Sequence, residues 1–155
     1  METKNARVQT QMRIRKPVAQ VFNAFIDPDI TRNFWFTKGS DVLSAGKKVT
    51  WEWEMYNATT EVVVEEILEN ERILIKWGAP FTTVDFRFKE LSDGSTYVTI
   101  SNYGFDKSGD ELLAEINDST GGFTTVLDGL KAYLEHGINL KLIEDKFPKE
   151  AIDHP

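Results

Sequence analysis

The feature that most constrains this fold is a helical pattern of apolar residues near the end of a chain that otherwise looks like strands. Within residues 121–137, apolar side chains recur at i, i+3, i+4, i+7, i+10 and i+11, at Phe123, Val126, Leu127, Leu130, Tyr133 and Leu134. This spacing predicts a long helix with one apolar face. Gly137 is expected to end this helix, because glycine enters the left-handed conformation without a steric penalty. A single long helix that follows several strands has to pack its apolar face across their sheet.

Alternation of apolar and polar residues predicts seven strands before this helix. In residues 7–15, Val8, Thr10, Met12 and Ile14 fall on one face, which is typical of a half-buried strand. The other strands are predicted near residues 40–43, 49–55, 60–68, 72–77, 84–89 and 97–103. Since most of them are joined by short turns, we expect an antiparallel sheet.

Two short helices are predicted between the first and second strands. Pro17 suits the first turn of a helix, because its missing N–H would be unpaired there anyway. Residues 18–25 are amphipathic, and a second helix over 29–33 leads directly to Trp35. This order of elements separates the first strand from the rest of the sheet along the chain.

The segment before the long helix is rich in turn-forming residues. The apolar positions in residues 104–120 predict only a brief helical stretch around Leu112 and Ile116. We expect the pair Gly121 and Gly122 to mark a close approach of the long helix to the sheet. A phosphate-binding loop is disfavoured, because no strand of a parallel βαβ unit precedes these glycines.

Length and charge limit the classes of function. A chain of 155 residues suits one domain, which we assign to residues 1–155, with a core over 7–137 and a C-terminal extension over 138–155. The 25 acidic and 18 basic residues leave a net charge of −7, which opposes binding to nucleic acid and to anionic membrane surfaces. Neither partner is therefore expected.

Cysteine and histidine usage argues against metal and thiol chemistry. The chain has no cysteine, which excludes disulfides, thiolate catalysis and cysteine zinc sites. Its two histidines are His136, at the end of the long helix, and His154, in the tail, so we predict no metal site, no catalytic residue and no cofactor. Residues 1–5 lack the apolar stretch of a signal peptide, and no window approaches the length of a membrane span. A cytoplasmic protein without membrane insertion is expected.

Several short motifs, in a particular order, carry a family resemblance. They are Pro17 through Phe25, Asp27-Pro28, Phe34-Trp35, Gly46, Ile67 through Ile73, Trp77, Gly94-Ser95-Thr96, and Gly122-Phe123 through Leu127, with Leu130 and Leu134. Over about residues 7–137 the chain resembles the START/SRPBCC (Bet v 1-like) superfamily, and within it the activator of heat-shock protein 90 ATPase homologues, specifically their C-terminal-type domain. The resemblance implies an α+β helix-grip fold: a curved, seven-stranded antiparallel sheet around a long C-terminal helix, with two short helices after the first strand.

Aromatic and aliphatic side chains on the predicted inner surface are the candidate binding residues. In this fold a cavity often separates the sheet from the helix, and apolar cavities suit small hydrophobic ligands. The alternative is that the same side chains fill the space as ordinary core. The candidates are Trp35, near one rim, with Trp51, Trp53, Ile75, Trp77, Phe86, Phe88, Phe123, Leu127 and Leu130.

Three functions are compatible with these observations. The first is binding of a small hydrophobic or aromatic molecule, and the second is a co-chaperone-like interaction with a chaperone or another protein. The third is a cyclase- or hydrolase-like enzyme, which would need Tyr97 and Tyr103 to face the cavity; the alternative register puts Val98 and Ile100 there instead. Binding is favoured over catalysis, and either a monomer or a homodimer is compatible with the sequence.

Overall fold

The structure, a computed structural model, describes residues 6–152. These residues form one seven-stranded antiparallel sheet, five α-helices and a 3-10 turn over Glu54–Tyr56. The strands are β1 Arg7–Ile14, β2 Lys38–Gly39, β3 Lys48–Trp53, β4 Ala58–Leu68, β5 Arg72–Trp77, β6 Thr82–Glu90 and β7 Thr96–Tyr103. The helices are α1 Val18–Ile26, α2 Pro28–Thr31, α3 Gly109–His136, α4 Leu142–Lys146 and α5 Lys149–Ile152. The predicted helix-grip fold is confirmed.

The strand order β1-β7-β6-β5-β4-β3-β2 follows from one crossover. Strands β2 to β7 pair with their neighbours in sequence, whereas β1 pairs antiparallel with β7, so that Arg7 lies opposite Tyr103 and Ile14 opposite Thr96. Helices α1 and α2 connect β1, at one edge, to β2, at the other edge. The short second strand was predicted at 40–43 but lies at Lys38–Gly39, where it pairs with β3.

The core lies between the inner face of the sheet and the helices α1 and α3. Its largest fully buried side chains include Trp51, Phe36, Phe86 and Ile100 from the sheet and its connections, with Leu127 and Leu130 from α3. The register of β7 settles the question that the sequence left open. Val98 and Ile100 are fully buried, while Tyr97 is 39% exposed, so the tyrosine-bearing face of this strand points outward.

The long helix is confirmed, but its predicted start at residue 121 is wrong, because α3 begins at Gly109. Leu112 is buried against Val8 and Phe105 in a second, smaller cluster, and Ile116 packs against the same group. A glycine inside a helix costs only about 1 kcal/mol relative to alanine. Packing of this additional length of helix therefore outweighs the penalty of the adjacent glycines Gly121 and Gly122.

The close approach of α3 to its neighbours occurs at Gly129, and the prediction that it occurs at Gly121 and Gly122 is wrong. A Cβ atom added at Gly129 would lie 3.2 Å from both the Cβ and the carbonyl oxygen of Phe34. A Cβ at Gly122 would meet nothing within 4 Å. The predicted stop at Gly137 is confirmed, since this residue has a φ of 68° and its N–H bonds to the carbonyl oxygen of Tyr133 at 2.8 Å.

The chain after Gly137 turns back along the helix. Helix α4 packs Ile143 against the main core, although Ile138 and Leu140, which also looked able to pack, stay about half exposed. Pro148 and the residues after it looked frayed in the sequence, but α5 forms over Lys149–Ile152; His154 lies outside the described residues. Within residues 6–152, no helix combines the length and apolarity needed to cross a membrane.

A candidate ligand pocket between sheet and helix

Trp35 lies at the centre of an aromatic cluster that joins the sheet to α3. Its ring centroid lies 4.8 Å from that of Trp51, 5.7 Å from that of Trp77 and 5.8 Å from that of Phe123. The side chain is only 6% exposed. Trp35 was expected near a rim, but it is in fact the point at which rings from β3, β5 and α3 meet.

Local hydrogen bonds around α2 aim Trp35 inward. The Asp27 carboxylate accepts the N–H of Asp29 at 3.0 Å and so caps the helix, with Pro28 in its first turn. The Thr31 hydroxyl donates to the carbonyl oxygen of Ala24 at 2.5 Å, which holds α2 against α1. The backbone N–H of Trp35 then bonds to the carbonyl oxygen of Thr31 at 3.1 Å. These short-range contacts fix the direction in which the chain leaves the helix.

Beside this cluster, the sheet and α3 enclose a pocket of about 430 Å³. Six aromatic side chains line it: Trp35, Trp53, Tyr56, Trp77, Phe123 and Phe147. Gly122 and Val126 of α3 form part of one wall, and the turn 78–80, which includes the cis peptide bond between Ala79 and Pro80, forms part of another. Exposed side chains such as Lys107 and Lys146 also line the pocket, which therefore reaches the protein surface.

The ten predicted binding residues divide into two groups. Four of them line the pocket: Trp35, Trp53, Trp77 and Phe123. The other six belong to the packed core and do not line it: Trp51, Ile75, Phe86, Phe88, Leu127 and Leu130. For Phe86 and Trp51 the reason is that another ring already packs on each of them. Phe25 of α1 packs on Phe86 at a centroid distance of 5.2 Å, and Phe36 stacks on Trp51 at 4.9 Å.

Several lining residues were not predicted from the sequence, and the most informative is Asn102. It lies on β7 two positions after Ile100, on the inner face of the strand, and is only 3% exposed. The sequence does contain a signal for Asn102: it is a polar residue that continues the inward-facing series of Val98 and Ile100. The polar residues Thr60, Thr82 and Ser119 also line the pocket, but no sequence pattern marks them.

Asn102 connects the sheet to the helix through a chain of hydrogen bonds. Its Nδ2 group donates to the Thr82 hydroxyl oxygen at 3.0 Å and to the carbonyl oxygen of Thr83 at 2.9 Å. Its Oδ1 atom accepts a hydrogen bond from the Ser119 hydroxyl of α3 at 2.8 Å. These three side chains therefore give the pocket a neutral polar group in addition to its aromatic lining, and the charged residues Lys107, Glu115 and Asp118 also line the pocket.

The C-terminal segment closes one side of the pocket. The Tyr56 hydroxyl donates to the carbonyl oxygen of Ile143, and the rings of Tyr56 and Phe147 lie 6.3 Å apart. Burial raises the pKa of the Tyr56 hydroxyl above its ordinary value. Lys146 donates to the Thr125 hydroxyl oxygen at 3.0 Å and so ties α4 to α3.

Some of the charged and aromatic groups near the pocket pair with one another. Lys107 and Glu115 at the pocket edge form an ion pair of 3.8 Å. Tyr103 does not line the pocket but packs under the guanidinium of Arg7, with 4.2 Å between that group and the ring centroid. Over residues 6–152, no three histidine or carboxylate side chains converge as metal ligands would. The arrangement of the pocket is suited to enclosing an apolar molecule.

Comparison with known proteins identifies relatives of this architecture. The family model described as "Activator of Hsp90 ATPase homolog 1-like protein" matches residues 15–135. The crystal structure of the protein SSP2350 from Staphylococcus saprophyticus is similar to the chain at 31% sequence identity and a TM-score of 0.78. That match covers 88% of this chain and 96% of the other.

Two further structures share the fold at lower sequence identity. DynU16, a putative protein in the dynemicin biosynthetic locus, has 18% identity and a TM-score of 0.77, with 86% of this chain and 48% of that chain covered. The Aha1 dimer from Colwellia psychrerythraea has 14% identity and a TM-score of 0.74, with 85% and 98% covered. No curated protein sequence gives a significant match.

Proposed function

The chain belongs to the activator of Hsp90 ATPase homolog 1-like family, and we propose that within this family it binds a small hydrophobic or aromatic molecule between the sheet and α3. The observation that carries this proposal is the pocket of about 430 Å³ with its six aromatic side chains. Its size is typical of small-molecule sites, which are mostly apolar with a few placed polar groups. A ligand that buries about 200 Å² of apolar surface would gain roughly 5 kcal/mol from burial, before the costs of association.

Tryptophan fluorescence tests the proposal directly, because three of the four tryptophans line the pocket. Titration with a fatty acid, a flavonoid and a polycyclic aromatic compound is expected to give a saturable change with at least one of them. A response from none would contradict the proposal.

A pocket-filling variant identifies the site. Gly122→Met extends a side chain from a position that faces open space and lines the pocket, so binding should weaken while the fold is kept. Thr124→Met adds the same side chain at an exposed position of α3 and should bind as the wild type does. Equal affinity in both variants would exclude this pocket as the site.

A second candidate function is a co-chaperone-like interaction, which family membership favours. The net charge of −7 would steer the protein towards a basic surface on its partner. The test is the ATPase rate of Hsp90 with and without this protein. An unchanged rate at saturating concentration would contradict this candidate.

The oligomeric state bears on this second candidate, because one structural neighbour is described as a dimer. We expect either a monomer or a homodimer. Light scattering after size exclusion distinguishes the two states.

A further inference from the structure

We propose that the polar end of the pocket selects ligands that carry a neutral hydroxyl group on an aromatic ring system. This end is formed by the side chains of Thr82, Asn102 and Ser119, and we refer to it as the polar end. The inference rests on the proposed function and specifies the class of ligand for the same pocket.

The backbone of Thr83 fixes the orientation of the Asn102 amide. The carbonyl oxygen of Thr83 can only accept a hydrogen bond, so the Asn102 atom that lies 2.9 Å from it has to be the nitrogen. The second N–H of the same nitrogen points to the Thr82 hydroxyl oxygen at 3.0 Å. Both donors of the amide are therefore used within the protein.

The orientation of the Asn102 amide fixes the roles of the Thr82 and Ser119 hydroxyl groups. Since the Asn102 nitrogen is a donor, Thr82 accepts from it, and the Thr82 hydroxyl proton has no acceptor among residues 6–152. Since Asn102 Oδ1 is an acceptor, Ser119 donates to it and keeps its own lone pairs free. The polar end thus offers one unused donor and one unused acceptor. A ligand hydroxyl can engage either of them, whereas a hydrocarbon can engage neither.

The polar end lies beside the aromatic side chains of the pocket. Thr82 lies opposite Trp77 in the β5–β6 register, so their side chains are neighbours in the sheet. Ser119 precedes Phe123 by one turn of α3, and the ring centroids of Phe123 and Trp77 lie 5.5 Å apart. An aromatic ligand packed against these two rings from the pocket side would bring a substituent at its edge to the polar end.

Charge disfavours an anionic substituent at this end. The three side chains of the polar end are neutral, and Asn102 is only 3% exposed. The two lysines that line the pocket already contact other groups, Lys107 pairing with Glu115 and Lys146 with Thr125. A carboxylate placed at the polar end would lose its hydration without gaining an opposite charge.

Three probes of closely similar ring structure test the proposal: pyrene, 1-hydroxypyrene and 1-pyrenecarboxylate, titrated against tryptophan emission. The wild type should bind 1-hydroxypyrene about 3- to 10-fold more tightly than pyrene, as expected for one net hydrogen bond. The carboxylate should bind more weakly than the hydroxyl compound. Ser119→Ala and Thr82→Val should each reduce the ratio of the 1-hydroxypyrene affinity to the pyrene affinity.

The control is Thr83→Val, since Thr83 is next to Thr82 on β6 and its side chain does not line the pocket. This variant should keep the full preference for 1-hydroxypyrene. Equal binding of pyrene and 1-hydroxypyrene by the wild type would overturn the inference and leave the proposed function standing. A preference that survives in both Ser119→Ala and Thr82→Val would also overturn it. If none of the three pyrene probes bound, the inference would fail, and the titrations with the fatty acid and the flavonoid would decide the proposed function separately.

Discussion

Asp85 is a single residue whose environment could not be read from its place in the strand. It faces away from the main core, between the inward-facing Val84 and Phe86, yet it is only 4% exposed. Arg72 donates two hydrogen bonds of 3.0 Å to its carboxylate, one to each oxygen, and Arg87 adds a third of 3.1 Å. This bidentate, charge-assisted geometry offsets the cost of removing the carboxylate from water.

At the residue scale, we predict that Asp85→Ala lowers the free energy of unfolding by about 3 kcal/mol, because it leaves Arg72 partly buried without its main partner. The matched control is Asp41→Ala. Asp41 also pairs with a cation, Lys47, at 2.8 Å, but its side chain is 55% exposed, and such surface pairs contribute little. Urea denaturation at neutral pH measures both variants. A similar loss of stability in the two would show that burial does not distinguish these ion pairs.

At the scale of an element, α3 shows that the role of a glycine depends on its neighbours. Gly122 and Gly129 lie on the same helix, and the sequence favoured the first as the point of close approach. The structure assigns that role to Gly129, which is fully enclosed against Phe34, whereas Gly122 faces the pocket. The helical pattern predicts which residues are on the inner face. It does not predict how far away the opposing surface lies.

We therefore predict opposite effects of alanine at these two positions. Gly122→Ala should raise the free energy of unfolding by about 1 kcal/mol, because alanine favours the helix and the new Cβ meets no atom within 4 Å. Gly129→Ala should be less stable than Gly122→Ala by about 1–3 kcal/mol, because its Cβ would crowd the Phe34 backbone. Thermal and urea unfolding provide the comparison. Equal stabilisation by both substitutions would mean that Phe34 moves away without cost.

At the scale of the whole molecule, the pocket is assembled from distant parts of the chain. Trp35 comes from the crossover after α2, Trp77 from β5 and Phe123 from α3. Ile143 and Phe147 come from beyond residue 135, where the family match ends. The C-terminal segment thus adds a wall to a pocket that the sheet and α3 form without it.

Removal of this wall should open the pocket without unfolding the protein. A truncation after Asn139 removes Ile143, Lys146 and Phe147, and we expect acrylamide to quench the pocket tryptophans more strongly. The loss of Ile143 packing should cost about 1–2 kcal/mol of unfolding free energy. Tyr56→Phe, which removes only the hydroxyl that bonds to the Ile143 carbonyl oxygen, should give a smaller increase in quenching. Unchanged quenching in the truncated protein would contradict a covering role for α4.

Sequence periodicity determined the strands and the long helix, and the family resemblance implied how they are assembled. Alternation predicted the strands, and the stripe from Phe123 to Leu134 predicted the helix that crosses them, because each pattern reflects the local repeat of one element. The family resemblance predicted over residues 7–137 is confirmed over residues 15–135. The N-terminal start of α3 was missed, because turn-forming residues and two glycines argued locally against a helix that its packing stabilises.

Only the tertiary structure decided which predicted residues border empty space. Trp51 and Trp53 occupy the same face of β3, but Phe36 stacks on Trp51 and leaves Trp53 on the pocket wall. Likewise, the alternation in β7 allowed two registers, and pairing with β1 and β6 selected the one that buries Ile100 and Asn102. Periodicity depends on bonds between near neighbours in sequence. A cavity depends on whether residues far apart in the chain happen to fill the same volume, and no local pattern encodes that.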